Sequence, residues 1–157
     1  MNRRHFLLLG VVLVFLVVWL LTRWQPERQV RVHTEALLAA AESRDFKKFA
    51  ALLAADYSDP WGNDKARVLE GSQQVFRNFL ALEVKATDME VDEADAIGHA
   101  SARIVIRGTG GPIGEEAMMR VNALKKPFSF TWRQRSWKPW DWELTQVEQS
   151  ELHLPTW

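Results

Sequence analysis

The chain has 157 residues, 47% of them hydrophobic and 25% charged, with a formal net charge of zero. That length suits one domain with a short appendage, and the absence of cysteine excludes disulfides, thiolate nucleophiles and Cys-ligated metals. Arg3, Arg4 and Arg23 are the basic residues of positions 1–25, which hold no acid; the remainder carries 17 basic and 20 acidic residues, a balance that argues against nucleic acid as a partner.

Phe6–Leu21, FLLLGVVLVFLVVWLL, is an unbroken run of sixteen apolar or glycine residues behind a short basic start. As a helix it would extend ~24 Å at ~1.5 Å per residue, slightly less than the ~30 Å hydrocarbon core. Phe6, Leu7, Val14, Trp19 and Leu21 are expected to face lipid, with Trp19 and Trp24 near the far interface, where aromatic belts lie. A cleaved signal peptide is the competing reading. However, the run ends in Trp-Leu-Leu-Thr-Arg-Trp-Gln-Pro without the small residues a peptidase needs, and a lipoprotein signal would need a cysteine. A buried soluble helix is the third alternative. Residues 1–25 therefore read as an uncleaved single-pass anchor in the lipid bilayer. Arg3 and Arg4 keep its N-terminus cytoplasmic, which places the domain in the periplasm, on the outer face of a bacterial inner membrane.

Residues 26–150 form the expected domain and 151–157 a tail. Pro26 opens a helix to about Ser43, with Val30, His33, Leu37, Ala40 and Ala41 as a narrow apolar stripe. Asp45 caps a second helix, in which Phe46, Phe49, Ala50 and Leu53 share a face. Asp59-Pro60-Trp61-Gly62-Asn63 breaks it. Asp64–Leu69 gives a helical turn, and Gly71-Ser72 opens a third helix that buries Val75, Phe76, Phe79 and Leu80. From Leu82 the period becomes two. Leu82, Val84 and Ala86 share a face and Met89 and Val91 continue in the opposite phase, which requires a bulge near Thr87. After a polar turn at Asp92–Ala96, Ala100, Ala102, Ile104 and Ile106 line one face of a strand. Gly108–Gly114 reads as a hairpin loop, and Glu115–Leu124 fits either a short helix or a strand.

Phe128–Val147, FSFTWRQRSWKPWDWELTQV, is the most informative stretch. Phe128, Phe130 and Trp132 alternate with Ser129, Thr131 and Arg133. Beyond a turn at Ser136–Pro139, Trp140, Trp142 and Leu144 alternate with Asp141, Glu143 and Thr145. An antiparallel hairpin should bury Phe130, Trp132 and Trp142. Its preferred register sets Arg133 opposite Glu143 and Arg135 opposite Asp141. Helices segregated from strands make the fold class α+β: three N-terminal helices packed on a curved antiparallel sheet, preceded by one transmembrane helix.

The order of Asp45-Phe46-Lys47-Lys48-Phe49, Gly71–Phe79, Phe130–Arg135 and Trp142–Val147 resembles the nuclear transport factor 2-like superfamily, the cone-shaped fold of ketosteroid isomerases and polyketide cyclases. The likeness spans roughly residues 27 to 149. It implies a pocket between helices and sheet, with Tyr57, Asp59, Trp61, Phe79 and Trp132 as candidate lining residues, and dimerisation through the sheet or an envelope protein partner. Asp59-Pro60-Trp61-Gly62 is similar to the segment that carries the general base of the isomerases. The enolate-stabilising donors of that chemistry are missing: the tyrosine position falls at about Leu37, and no Asp or Glu occurs between Glu116 and Asp141. Asp59 is accordingly read as a turn residue. Gly108–Gly114 lacks the Gly-Lys-Ser/Thr ending of a phosphate loop, and no Gly-x-Ser-x-Gly elbow exists. His5, His33, His99 and His153 have no second histidine at i+3 or i+4, so neither a metal nor another cofactor is expected. The expected role is a non-catalytic interaction or ligand-binding module, similar in layout to the inner-membrane scaffold components of type IV secretion. The alternative is an isomerase, cyclase or dehydratase acting in the cone.

Overall fold

The computed structural model describes residues 12–14 and 24–152. Among them no helix is long and apolar enough to cross a membrane. Of the expected lipid-facing residues, Phe6, Leu7, Trp19 and Leu21 lie outside the described residues; Val14 belongs to a described helical piece and is exposed.

Helix α1, Pro26–Glu42, starts with Pro26 in its first turn, where the missing N–H costs no hydrogen bond. It ends on Arg44 in the left-handed region, φ 57°, with Arg44 N–H donating to Ala41 O and Asp45 N–H to Ala40 O. Asp45 then caps α2, Phe46–Leu52, by accepting from the Lys48 amide at 3.0 Å, as the sequence suggested.

Helix α3 corrects the sequence reading. It is one helix, Lys65–Phe76, capped by Asp64, whose carboxylate accepts from the Arg67 amide at 2.9 Å. Gly71 and Ser72 are interior to it rather than its start. Phe79 and Leu80 are also displaced, from helix to strand. Helix α3 stops at Arg77-Asn78, where Asn78 Nδ2 donates to Gln74 O at 2.6 Å. Strand β1, Phe79–Ala94, then takes over. Neighbours on a strand point to opposite sides, so Phe79 is buried while Leu80 is 86% exposed.

Strand β1 pairs antiparallel with β2, Ile97–Gly110, through a register shift between Thr87 and Glu90, the expected bulge, with Asp88 at φ 53°. The turn between them is tighter than expected. Asp95 and Ala96 alone form it, at φ 53° and 64°, and Asp92–Ala94 belong to the strand. Gly108–Gly114 is not a hairpin loop. Gly108 and Gly110 are the end of β2, where a Cβ would meet Ala81 O at 2.1 Å and Asn78 O at 2.5 Å. Gly111 caps helix α4, Pro112–Ala123, which resolves the ambiguity after residue 114 in favour of helix. Asn122 on α4 hydrogen-bonds both the amide and the carbonyl of Ile106, at 2.8 and 2.7 Å. It thereby serves the part of β2 that runs past its next partner strand.

Strands β3, Phe128–Gln134, and β4, Trp142–Glu148, complete a four-stranded antiparallel sheet of order β1-β2-β3-β4. The architecture is thus α+β, helices on a curved sheet. The hairpin has the preferred register: Arg133 lies opposite Glu143, and Arg135 is ion-paired with Asp141 at 2.9 Å. Its inner face buries Phe130, Trp132 and Trp142, whereas Trp140 leaves the alternation and sits half-exposed in the turn. Helix α1 lies across the sheet through Val30, which occupies the space over Gly98; a Cβ there would come within 2.2 Å of Val30 Cγ2. Side chains of α1 also cover the outer edge of β1. Glu42 accepts from the Val84 amide at 2.8 Å, and Arg31 donates to Met89 O at 2.9 Å, so the edge does not present a bare ladder.

Candidate functional site

The segment after α2 brings the first three candidate residues together. Leu53 makes a parallel bridge to Leu144, and Ala54 and Ser58 donate backbone N–H groups to Leu144 O and Thr145 O at 2.9 and 3.1 Å. This pins residues 53–58 along β4. Tyr57 is buried there. The chain then turns through Asp59, whose Oδ1 accepts from the amides of Trp61 at 3.0 Å and Asn63 at 2.9 Å. Its other oxygen receives Asn63 Nδ2 at 3.1 Å and the Tyr57 hydroxyl at 3.5 Å. An aspartate whose oxygens satisfy two consecutive-turn amides is a turn anchor by geometry. Burial, with the adjacent Asp59 charge behind it, raises the Tyr57 phenol well above its ordinary value. A phenol held neutral in this way remains a hydrogen-bond donor to Asp59 over the whole working range of pH. Trp61 turns outward to donate its indole N–H to Leu152 O at 2.8 Å, which ties the turn to the end of the described chain.

Phe79 and Trp132 are placed elsewhere. Phe79 is at the start of β1, packed against Gly114 of α4. Trp132 is fully buried on β3, edge-to-face with His33 of α1 at 5.8 Å between ring centroids, and its indole N–H has no hydrogen-bond partner among the described residues. Trp132, Phe130, Trp142, Leu144, Tyr57 and Phe49 belong to one continuous buried cluster with Val30 and Leu37 of α1. The space between helices and sheet is therefore taken up by the chain's own side chains.

Two clefts lie on the flank of the described residues. One of about 450 Å³ runs between α1 and β1, bordered by Arg31, Glu35 and Glu42 on the helix and Val84, Lys85 and Met89 on the strand. A second, of about 200 Å³, borders Gln25, Arg28, Arg31 and Val91. None of the five candidate residues lines either cleft. Sequence reasoning missed these groups because they meet only through the docking of α1 on β1. It also missed Asp56. Arg133 donates to both oxygens of Asp56 at 2.8 and 3.0 Å while its Nε reaches Glu143 at 3.1 Å. The hydrogen bond from Arg133 holds the Asp56 carboxyl below its usual range. Among the described residues no group of three or more His, Cys, Asp or Glu is arranged to hold a metal ion.

No protein-family model matches the sequence, and no curated protein matches it. Solved structures do. A candidate dehydratase of the nuclear transport factor 2-like family from Streptomyces avermitilis matches with a TM-score of 0.58 and 17% identity, over 78% of this chain and 93% of its own. A candidate aromatic ring hydroxylase from Novosphingobium aromaticivorans matches at 0.59 and 15%, over 77% and 85%. Bd1075 of Bdellovibrio bacteriovorus matches at 0.59 and 7%, over 77% of this chain but 38% of its own, so this chain spans under half of that protein. At these identities the likeness concerns the fold alone. The chain has the nuclear transport factor 2-like fold that the order of its motifs resembled.

Proposed function

We propose that this chain is a non-catalytic interaction or ligand-binding module of the bacterial cell envelope, held to the inner membrane by Phe6–Leu21 with the folded domain on the periplasmic side. The observation that supports a non-catalytic role is the filled interior: Trp132, Phe130, Trp142 and Leu144 are all under 5% exposed. In this fold a substrate would have to occupy the space they fill. Function then lies on the outside, at the α1–β1 flank or at the sheet. The anchored placement is supported by the sixteen-residue apolar run and the basic residues in front of it. The candidate dehydratase and the candidate hydroxylase show that the same fold is associated with small-molecule chemistry, but chemistry belongs to a site rather than to a fold. Here Asp59 is committed to its own turn.

Turnover of a chromogenic enone by the purified chain, compared with Asp59→Asn, separates this reading from an isomerase. Neither protein should turn the substrate over. Wild-type activity that the substitution abolishes would make Asp59 a base and the cone an active site. For placement, a reporter active only outside the cytoplasm, fused after Trp157, should be active; a silent fusion would exclude the periplasmic assignment.

A further inference from the structure

The turn between β3 and β4 carries two tryptophans that the core does not use. Trp137 is 86% exposed and Trp140 50%. Exposed apolar side chains are informative where they gather in one region rather than lie scattered. The turn is nevertheless built rigidly. Asp141 N–H donates to Lys138 O at 3.1 Å, Gln134 Nε2 to the same oxygen at 3.0 Å, Ser136 Oγ to Asp141 Oδ2 at 2.6 Å, and the Trp142 indole N–H to Pro139 O at 2.8 Å. These bonds hold the turn in a fixed shape with Trp137 in the open.

The position of this turn says what covers it. Trp140 lies 6.1 Å, centroid to centroid, from Trp24, which is itself 40% exposed. Trp24 is three residues beyond Leu21, the end of the apolar run. Three residues of even fully extended chain reach at most ~11 Å. The zone of headgroups on each side of the hydrocarbon core is itself several ångströms deep, given ~30 Å of core in a bilayer of ~40–45 Å. A turn packed on Trp24 therefore cannot stand far from the membrane in which Leu21 ends. Tryptophan is the side chain that settles at this depth, with its ring among the acyl carbonyls and its N–H in the wet layer.

We propose that Trp137 and Trp140, together with Trp24, form a second membrane contact that lays the β3–β4 turn into the headgroup zone and fixes the orientation of the domain on the bilayer. The proposal rests on the anchored reading of Phe6–Leu21. The contact is aromatic rather than electrostatic. Arg135 is neutralised by Asp141. Lys138 lies within electrostatic reach of the same Asp141 carboxylate. Neutral phosphatidylcholine should hence serve as well as an anionic mixture.

The lack of native cysteine allows single-site labelling. Lys138→Cys, which leaves both tryptophans of the turn in place, Val14→Cys and, as a remote control on exposed α4, Met119→Cys would each carry an environment-sensitive fluorophore. The full chain is reconstituted in phosphatidylcholine vesicles that contain lipids with nitroxides near the headgroup or deep in the acyl chain. The label at position 14 should be quenched most by the deep nitroxide, that at 138 most by the shallow one, and that at 119 by neither. Replacing part of the phosphatidylcholine with phosphatidylglycerol should not change the loss at 138. Quenching at 14 with none at 138 would overturn the membrane contact and leave the anchor standing. No quenching at 14 would overturn the anchored reading and this inference with it. Quenching at 138 only in anionic vesicles would overturn its aromatic basis.

Discussion

Tyr57 is the chain's single tyrosine, so its titration can be read without assignment. Burial and the neighbouring Asp59 hold its proton well past the ordinary value near 10. The raised value belongs to the folded state, so its contribution to stability is complete below about pH 10. It is lost as pH rises beyond that. Phenolate absorbance followed alongside tryptophan fluorescence should show no ionisation near pH 10 in folded protein, and ionisation at higher pH only as the fold opens. A phenolate that appears at its ordinary pH with the fluorescence unchanged would place Tyr57 in solvent. Asp59 was legible as a turn residue because Asp-Pro-x-Gly-Asn has the local chemistry of a turn. Its bonds to Trp61 and Asn63 span no more than four residues. The Arg133–Asp56 pair was not legible, because 77 residues separate its members and only the pinning of residues 53–58 along β4 brings them together.

At the level of elements, the hairpin was the most readable part of the chain. Period-two alternation and paired charges fixed its inward face and its register, since a slip of one residue would turn Trp132 and Phe130 outward. Helix α3 was misread because Gly71-Ser72 has the composition of a helix start. The cap that counts is Asp64, seven residues earlier, and the helix simply absorbs the glycine at some cost. Gly71 is exposed, with open space where a Cβ would stand. Gly71→Ala should therefore raise stability by about 0.5–1 kcal/mol, the difference between the two residues inside a helix. Urea unfolding of the two proteins measures it. A neutral or destabilising result would mean that the helix begins at residue 71 after all. The other misreading has the opposite cause. Gly108 and Gly110 are glycines because the backbone at Ala81 and Asn78 approaches too closely for a Cβ, and a tightly packed strand end and a loop draw on the same residue type.

For the molecule as a whole, segregation of helices from strands was enough to read the α+β class, and the cone followed from the resemblance carried by the order of the motifs. Whether the cone is open was beyond the sequence, since aromatic side chains on a strand face can line a pocket or fill it. Packing decides between these. Val30 of α1 sits directly over Gly98 of β2, and Trp132, opposite Gly98 on β3, is fully buried beside it. Close approach of helix and sheet leaves that aromatic side chain as filling. Under the proposed reading, this closure moves function to the surface, to the α1–β1 flank and to the aromatic turn beside Trp24. Methyl NMR of residues 24–152, titrated with a naphthalene-sized apolar ligand, tests the closure most directly. The methyl groups of Val30, Leu37, Ile104 and Leu144 should show no saturable shift. Saturable shifts at Leu144 and Ile104 would reveal an open, ligand-accepting cone and contradict the filled interior on which the non-catalytic reading rests.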